Sequence, residues 1–178
     1  MKLFTVAAAA SVAAAQDTCI CQGNCSTWAD PHFKAFDGTT DTFKQNSIVY
    51  NSGNLTLTAK VYQDDQGKGF TEALYMNGLE WVNASRDCGD LVGPIDDVTF
   101  PIAPHGSSAV VSSDARVVIS CKEGPKDCKT LGVPCYKYLN ADIQKTDVLS
   151  TSVEDNWNFM QLEREMGSTG VCMDSEAA

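Results

Sequence analysis

Residues 54–83 read NLTLTAKVYQDDQGKGFTEALYMNGLEWVN, and this stretch decides the fold. From Asn54 to Tyr62 the chain alternates: Leu55, Leu57, Ala59 and Val61 point one way, and Thr56, Thr58, Lys60 and Tyr62 the other. A period of two sends alternate side chains to opposite faces of an extended strand, with one face buried and the other wet. Asp64 to Gly69 is rich in turn formers, and Asp64-Asp65-Gln66-Gly67 reads as a hairpin loop. Phe70 to Met76 and Leu79 to Asn83 then flank Asn77-Gly78. Asn-Gly accepts the two consecutive positive φ angles of a tight two-residue hairpin turn.

Working outward, further strands are expected at Thr42 to Tyr50, Val98 to Ile102, Ala109 to Val111, Arg116 to Cys121, Val148 to Val153 and Trp157 to Leu162. Turn-rich breaks separate them at Cys88 to Asp96, Pro104 to Ser108 and Gly124 to Lys129. No segment carries a sustained helical period with caps. Short strands at regular intervals predict an all-β fold, an antiparallel β-sandwich of short strands. With no internal repeat and no shift in composition, residues 16–178 read as a single domain. A cysteine-rich N-terminal lead, Cys19 to Cys25, is stapled onto it.

The first 15 residues, MKLFTVAAAASVAAA, have the plan of a secretory signal peptide. Lys2 is the positive start, Leu3 to Val12 the apolar run, and Ala13-Ala14-Ala15 the small-residue cleavage site before Gln16. The run is shorter than the roughly 20 residues that span a bilayer, and CMDSEAA near the end is polar, so no membrane anchor is expected. The formal net charge of −10 repels phosphate backbones and anionic lipid heads, which argues against nucleic acid or bare membrane as partners and favours cations, calcium among them. Solubility alone also accounts for that charge.

Eight cysteines lie beyond the leader: Cys19, Cys21, Cys25, Cys88, Cys121, Cys128, Cys135 and Cys172. In a secreted chain an even count predicts up to four disulfides, with the connectivity open. Zinc fits poorly, since no Cys-x-x-Cys pair exists and the histidines are His32 and His105 alone. Asn24, Asn54 and Asn83 head glycosylation sequons. No Gly-x-Ser-x-Gly elbow is present, and Asp96-Asp97 reads as a solvated pair. Trp28, Trp81 and Trp157 read as core.

Residues 25–38 read CSTWADPHFKAFDG. This string resembles the opening of the von Willebrand factor type D domain: a cysteine, a short spacer often ending in an aromatic, Gly-Asp-Pro-His, an aromatic, then Phe-Asp-Gly. The chain departs from that pattern at Ala29, where the family has glycine, and in FKQNSIVY, which lacks the family's cysteine. The late Cys-Gly-x-Cys-Gly-Asn-Tyr-Asn segment is replaced by Glu154-Asp155-Asn156-Trp157-Asn158 and, later, Cys172. The resemblance therefore implies a divergent, stand-alone member of the family.

What the resemblance implies is an extracellular, disulfide-built β module. Its calcium ligand would be Asp37, with Asp41, Asp155, Asn156 and Asn158 completing the six to eight oxygens that calcium takes. The plainer reading makes Asp37-Gly38 a turn and Asp41 surface. Some family members break the Asp-Pro bond of Gly-Asp-Pro-His, which makes Asp30-Pro31, with His32 as proton shuttle, a self-cleavage candidate. A structural turn is the alternative. The expected function is extracellular interaction rather than catalysis: adhesion, matrix or surface-coat assembly, with an extracellular protein or glycan as partner. Self-association through Cys19 and Cys21 is a further option. The competing classes are a secreted enzyme, since certain luciferases carry type D domains, and a disulfide-scaffold effector or inhibitor.

Overall fold

The computed structural model describes residues 18–28, 31–43, 45–64, 67–90, 93–102, 110–125, 127–150 and 159–173. The expected leader, Asp30, His105 and residues 151–158 lie outside them. Among the described residues, ten strands and three short helices follow one another. They are β1 Thr18–Trp28, β2 His32–Lys34, β3 Thr40–Thr42, β4 Ser47–Ser52, β5 Leu55–Gln63, β6 Gly69–Met76, β7 Leu79–Asn83, α1 Ala84–Asp87, β8 Gly93–Ile102, β9 Val110–Gly124, α2 Cys128–Leu131, β10 Tyr136–Ser150 and α3 Phe159–Glu165. The strands form a six-stranded sheet in the order β3-β2-β1-β10-β9-β8 and a four-stranded sheet in the order β4-β5-β6-β7. Every pairing within them is antiparallel.

The small sheet follows the sequence closely. Leu55, Leu57 and Ala59 are buried, and Asn77 and Gly78 both hold positive φ, 51° and 81°, as a tight hairpin turn requires. Val61 is only half-buried because the pairing of β5 with β6 shifts between Lys60 and Val61. The expected strand Thr42 to Tyr50 is divided, since β3 ends at Thr42 and β4 starts at Ser47.

The large sheet and the helix α3 correct five expectations. The N-terminal lead is not an appendage: as β1 it lies between β2 and β10, paired with β10 from Thr18 through Thr27. Nor are the strands uniformly short, because β9 and β10 run for 15 residues each. Ala109 to Val111 and Arg116 to Cys121 belong to one strand, β9, apart from Ala109, which lies outside the described residues. β8 begins at Gly93, inside the expected break Cys88 to Asp96. Finally, the described part of Trp157 to Leu162 is helical, the start of α3. Leu162 and Glu163 are its buried residues, and with the half-buried Phe159 and Met166 they have the i, i+3, i+4, i+7 spacing of one helix face.

The two sheets share a core. Leu55, Leu57, Ala59, Leu74 and Val82 of the small sheet meet Val117, Ile119, Leu139, Ala141 and Ile143 of the large one. Three disulfides reinforce it. Cys88–Cys121 ties the end of α1 to β9, and so joins the two sheets. Cys25–Cys172 joins β1 to the segment after α3 across 147 residues of sequence, while Cys128–Cys135 closes only the turn around α2, with a separation of 7. That C-terminal segment is also stitched to β4, Val171 N–H donating to Ile48 and Cys172 N–H to Val49, both at 3.0 Å.

Closing a long loop removes more entropy from the unfolded chain than closing a short one. Replacing Cys25 and Cys172 by alanine should therefore cost about 5 kcal/mol, against about 2 kcal/mol for the Cys128 and Cys135 pair. Urea midpoints of the two double variants will show the order, and equal losses would contradict this assignment of roles.

Candidate functional site

The inward row of β10 is Leu139, Ala141, Ile143, Lys145, Asp147 and Leu149, every one of them buried. Its apolar alternation is interrupted by two charged residues. Room for them comes from small neighbours on the flanking strands. Lys145 is registered with Gly23 of β1 and Ala115 of β9, and Asp147 with Cys21 and Ser113. A Cβ at Gly23 would stand 2.1 Å from Phe159 Cε1, so glycine there is what lets α3 lie down over the row.

From α3, Glu163 reaches the same space. Lys145 Nζ donates to Glu163 Oε1 and lies 3.5 Å from Asp147 Oδ1, with all three side chains fully inaccessible to solvent. Tyr50 of β4, also buried, donates its hydroxyl to Glu163 Oε2 at 2.6 Å, and its ring lies 5.9 Å from Lys145 Nζ. Among the described residues, neither carboxyl oxygen of Asp147 has a hydrogen-bond partner. Burial raises the Tyr50 hydroxyl above the ordinary phenol value, and the negative charge of Glu163 adds to this. Burial likewise pushes Asp147 up to about 7, against the pull of Lys145 and with a further push from Glu163. One ammonium, one carboxylate and one carboxyl inclined to keep its proton make a near-neutral set, the state that low dielectric favours.

Outside this cluster, α3 borders an open cleft of ≈ 620 Å³ lined by Phe36, Asp37, Phe159, Met160, Gln161 and Arg164. Phe36 joins the two regions, with its ring centroid 5.4 Å from that of Tyr50 and 5.0 Å from that of Phe159, edge-on to both. Asp37 is exposed at the turn after β2, and its Oδ1 accepts the Thr39 N–H at 2.8 Å. The turn reading of Asp37-Gly38 thus has a physical basis. Asp41 is exposed on β3 and accepts its neighbour Thr42 N–H at 2.7 Å. The remaining expected calcium ligands, Asp155, Asn156 and Asn158, lie outside the described residues, but Phe159, next in the chain after Asn158, lines the same cleft as Asp37.

Of the self-cleavage candidates, Pro31 is buried and its carbonyl accepts the Phe43 N–H at 2.8 Å. His32 opens β2 opposite Trp28, ring centroids 5.8 Å apart. Trp28, expected in the core, is exposed. Asn24 and Asn54 are exposed, on β1 and in the turn before β5. Asn83 instead caps α1, its Oδ1 accepting the Ser85 N–H at 3.0 Å and the Ser85 hydroxyl at 2.7 Å. Six of the eight cysteines form the three bonds described above. Cys21 is half-buried on the inner face of β1, and the Cys19 side chain lies outside the described residues.

Between about pH 4 and pH 7 the native state holds a proton on Asp147 that the unfolded chain has released. That contribution to stability is complete below pH 4 and disappears as pH rises through 7. Asp147→Asn cannot titrate, so its urea midpoint should depend less on pH across this window and exceed wild type above it. Parallel pH profiles for the two proteins would contradict the buried, protonated assignment.

Compared with models of known protein families and with curated proteins, the chain matches none.

Proposed function

We propose that the protein is a secreted von Willebrand type D-like β-sandwich that acts as an extracellular interaction module, stabilised by calcium. Three disulfides in one small chain suit an oxidising, extracellular setting. Among the described residues no helix is long and apolar enough to cross a membrane.

The observation that carries the reading is the meeting of two distant pieces of chain in one cleft. The Phe36-Asp37 turn comes from the motif that resembles the family, and Phe159 follows directly on the acidic, Asn-rich segment that replaces the family's late loop. Asp37 has one oxygen committed to Thr39, and a carboxylate carries a second that is suited to a metal. In this proposal Asp155, Asn156 and Asn158 supply further oxygens, the ion fixes the rim, and Phe36, Phe159, Met160, Gln161 and Arg164 present a mixed aromatic and polar surface to an extracellular protein or glycan.

Calcium at a hundredfold excess over its Kd should stabilise the oxidised protein by about 2.7 kcal/mol. That is a rise of several degrees in melting temperature relative to chelator, and Asp37→Ala should abolish it. Identical melts with calcium and with chelator would remove the ion from this account. Capture of extracellular protein or glycan by wild type but not by Arg164→Ala would place the binding surface at the cleft, and equal capture by both would put it elsewhere.

A further inference from the structure

We propose that Lys145 and Glu163 become joined by an intramolecular amide, formed by the folded protein itself, with Asp147 carrying the proton and Tyr50 holding the carbonyl oxygen.

The buried cluster has more parts than an ion pair needs. A salt bridge requires an amine and a carboxylate, and Lys145 and Glu163 already supply them. The structure adds a second carboxyl, Asp147, 3.5 Å from the same nitrogen and without a hydrogen bond among the described residues. A hydroxyl, that of Tyr50, sits at 2.6 Å on the oxygen of Glu163 that the lysine does not engage. Amine, acyl carbon, proton carrier and oxyanion donor are what amide formation requires. Their placement on β10, α3 and β4 holds the reacting atoms together before any chemistry begins.

The step balances without any further reactant. In a site closed to water, the ammonium of Lys145 passes one proton to Glu163 Oε1, leaving a neutral amine beside a neutral acid. The Nζ lone pair attacks Cδ of Glu163, and the charge that develops on Oε2 meets the Tyr50 hydroxyl. Asp147, protonated at the start, gives its proton to Oε1 and takes one from Nζ in its place. The C–Oε1 bond breaks, water leaves, the C=O bond to Oε2 re-forms, and Asp147 returns to its starting state. Nothing is oxidised or reduced. In open water such a condensation runs backwards, because ammonium and carboxylate are better solvated apart. Here both are fully buried, and the amide removes two charges from the interior.

The sequence makes the test simple. Trypsin cuts after Lys137, Lys145 and Arg164, and residues 138–164 contain no cysteine and no sequon. The secreted protein should be reduced, denatured, digested and weighed. The linkage predicts one cyclic peptide, Tyr138 to Arg164, uncut at Lys145 and lighter than the linear sequence by one water. Separate peptides Tyr138–Lys145 and Thr146–Arg164 at full mass would overturn the proposal and leave a plain buried ion pair. Asp147→Asn keeps the shape and is expected to fold, with the circular dichroism of wild type, and to yield the two linear peptides. Full linkage in that variant would overturn the role given to Asp147.

Discussion

An ammonium group leaves water only where something replaces its hydration, and Lys145 is buried completely at the middle of the largest sheet. Much of the surrounding architecture answers that requirement. Gly23 and Ala115 flank the lysine so that its long side chain can rise from the sheet. α3 brings Glu163 down to it, which is possible because Phe159 can settle on the bare backbone of Gly23. Tyr50 then occupies the second oxygen of that glutamate. Removing Lys145 or Glu163 alone strands the other's charge in the interior, at a cost of about 3–5 kcal/mol. Each residue is therefore held in place by the others, whether or not it touches the apolar core.

The second constraint is topological. β1 and β10 are neighbours in the large sheet although Cys25 and Ile143 stand far apart in sequence. The sheet cannot close until nearly all of the chain is available, and contacts of that separation carry a large loop-closure entropy. Cys25–Cys172 acts at this point, tying the N-terminal strand to the segment that seals β4. Cys88–Cys121 makes the corresponding tie between the sheets. These two disulfides thus sit at the joints that local structure does least to secure.

The legible parts of the sequence were those whose physics is local. The hairpin at Asn77-Gly78 and the alternation of Leu55, Leu57 and Ala59 depend on neighbours a few residues away, and both appear as expected. β1 was hidden because its inward residues, Cys21, Gly23, Cys25 and Thr27, are small or polar, a choice imposed by α3 and the disulfide rather than by strand formation. All of β10 but its end, Val148 to Ser150, was hidden because Lys145 and Asp147 occupy inward positions and imitate a solvated surface. α3 was misread for the same reason, since Glu163 stands on its buried face. A charge in a sequence is ordinarily a surface residue, and only its partners, 18 residues away for Lys145 and Glu163 and 113 for Tyr50 and Glu163, reverse that reading. The Asp37 turn was visible through its motif, while its neighbours across the cleft come from α3 and could not be foreseen without the helix.

The cluster and the cleft are two sides of one short helix. A helix of seven residues has little stability of its own, because nucleation is costly and few backbone hydrogen bonds follow it. α3 is fixed instead from beneath, by Glu163 in the charged cluster and Leu162 against Val110 and Leu149. Its other residues, Phe159, Met160, Gln161 and Arg164, are thereby held at set positions opposite Asp37. In the binding role proposed for the cleft, a surface already ordered avoids the entropic cost of ordering it at the moment of contact. A group of charges that would be expensive in an ordinary core has its physical justification here, in holding rigid the one helix that forms a wall of the cleft.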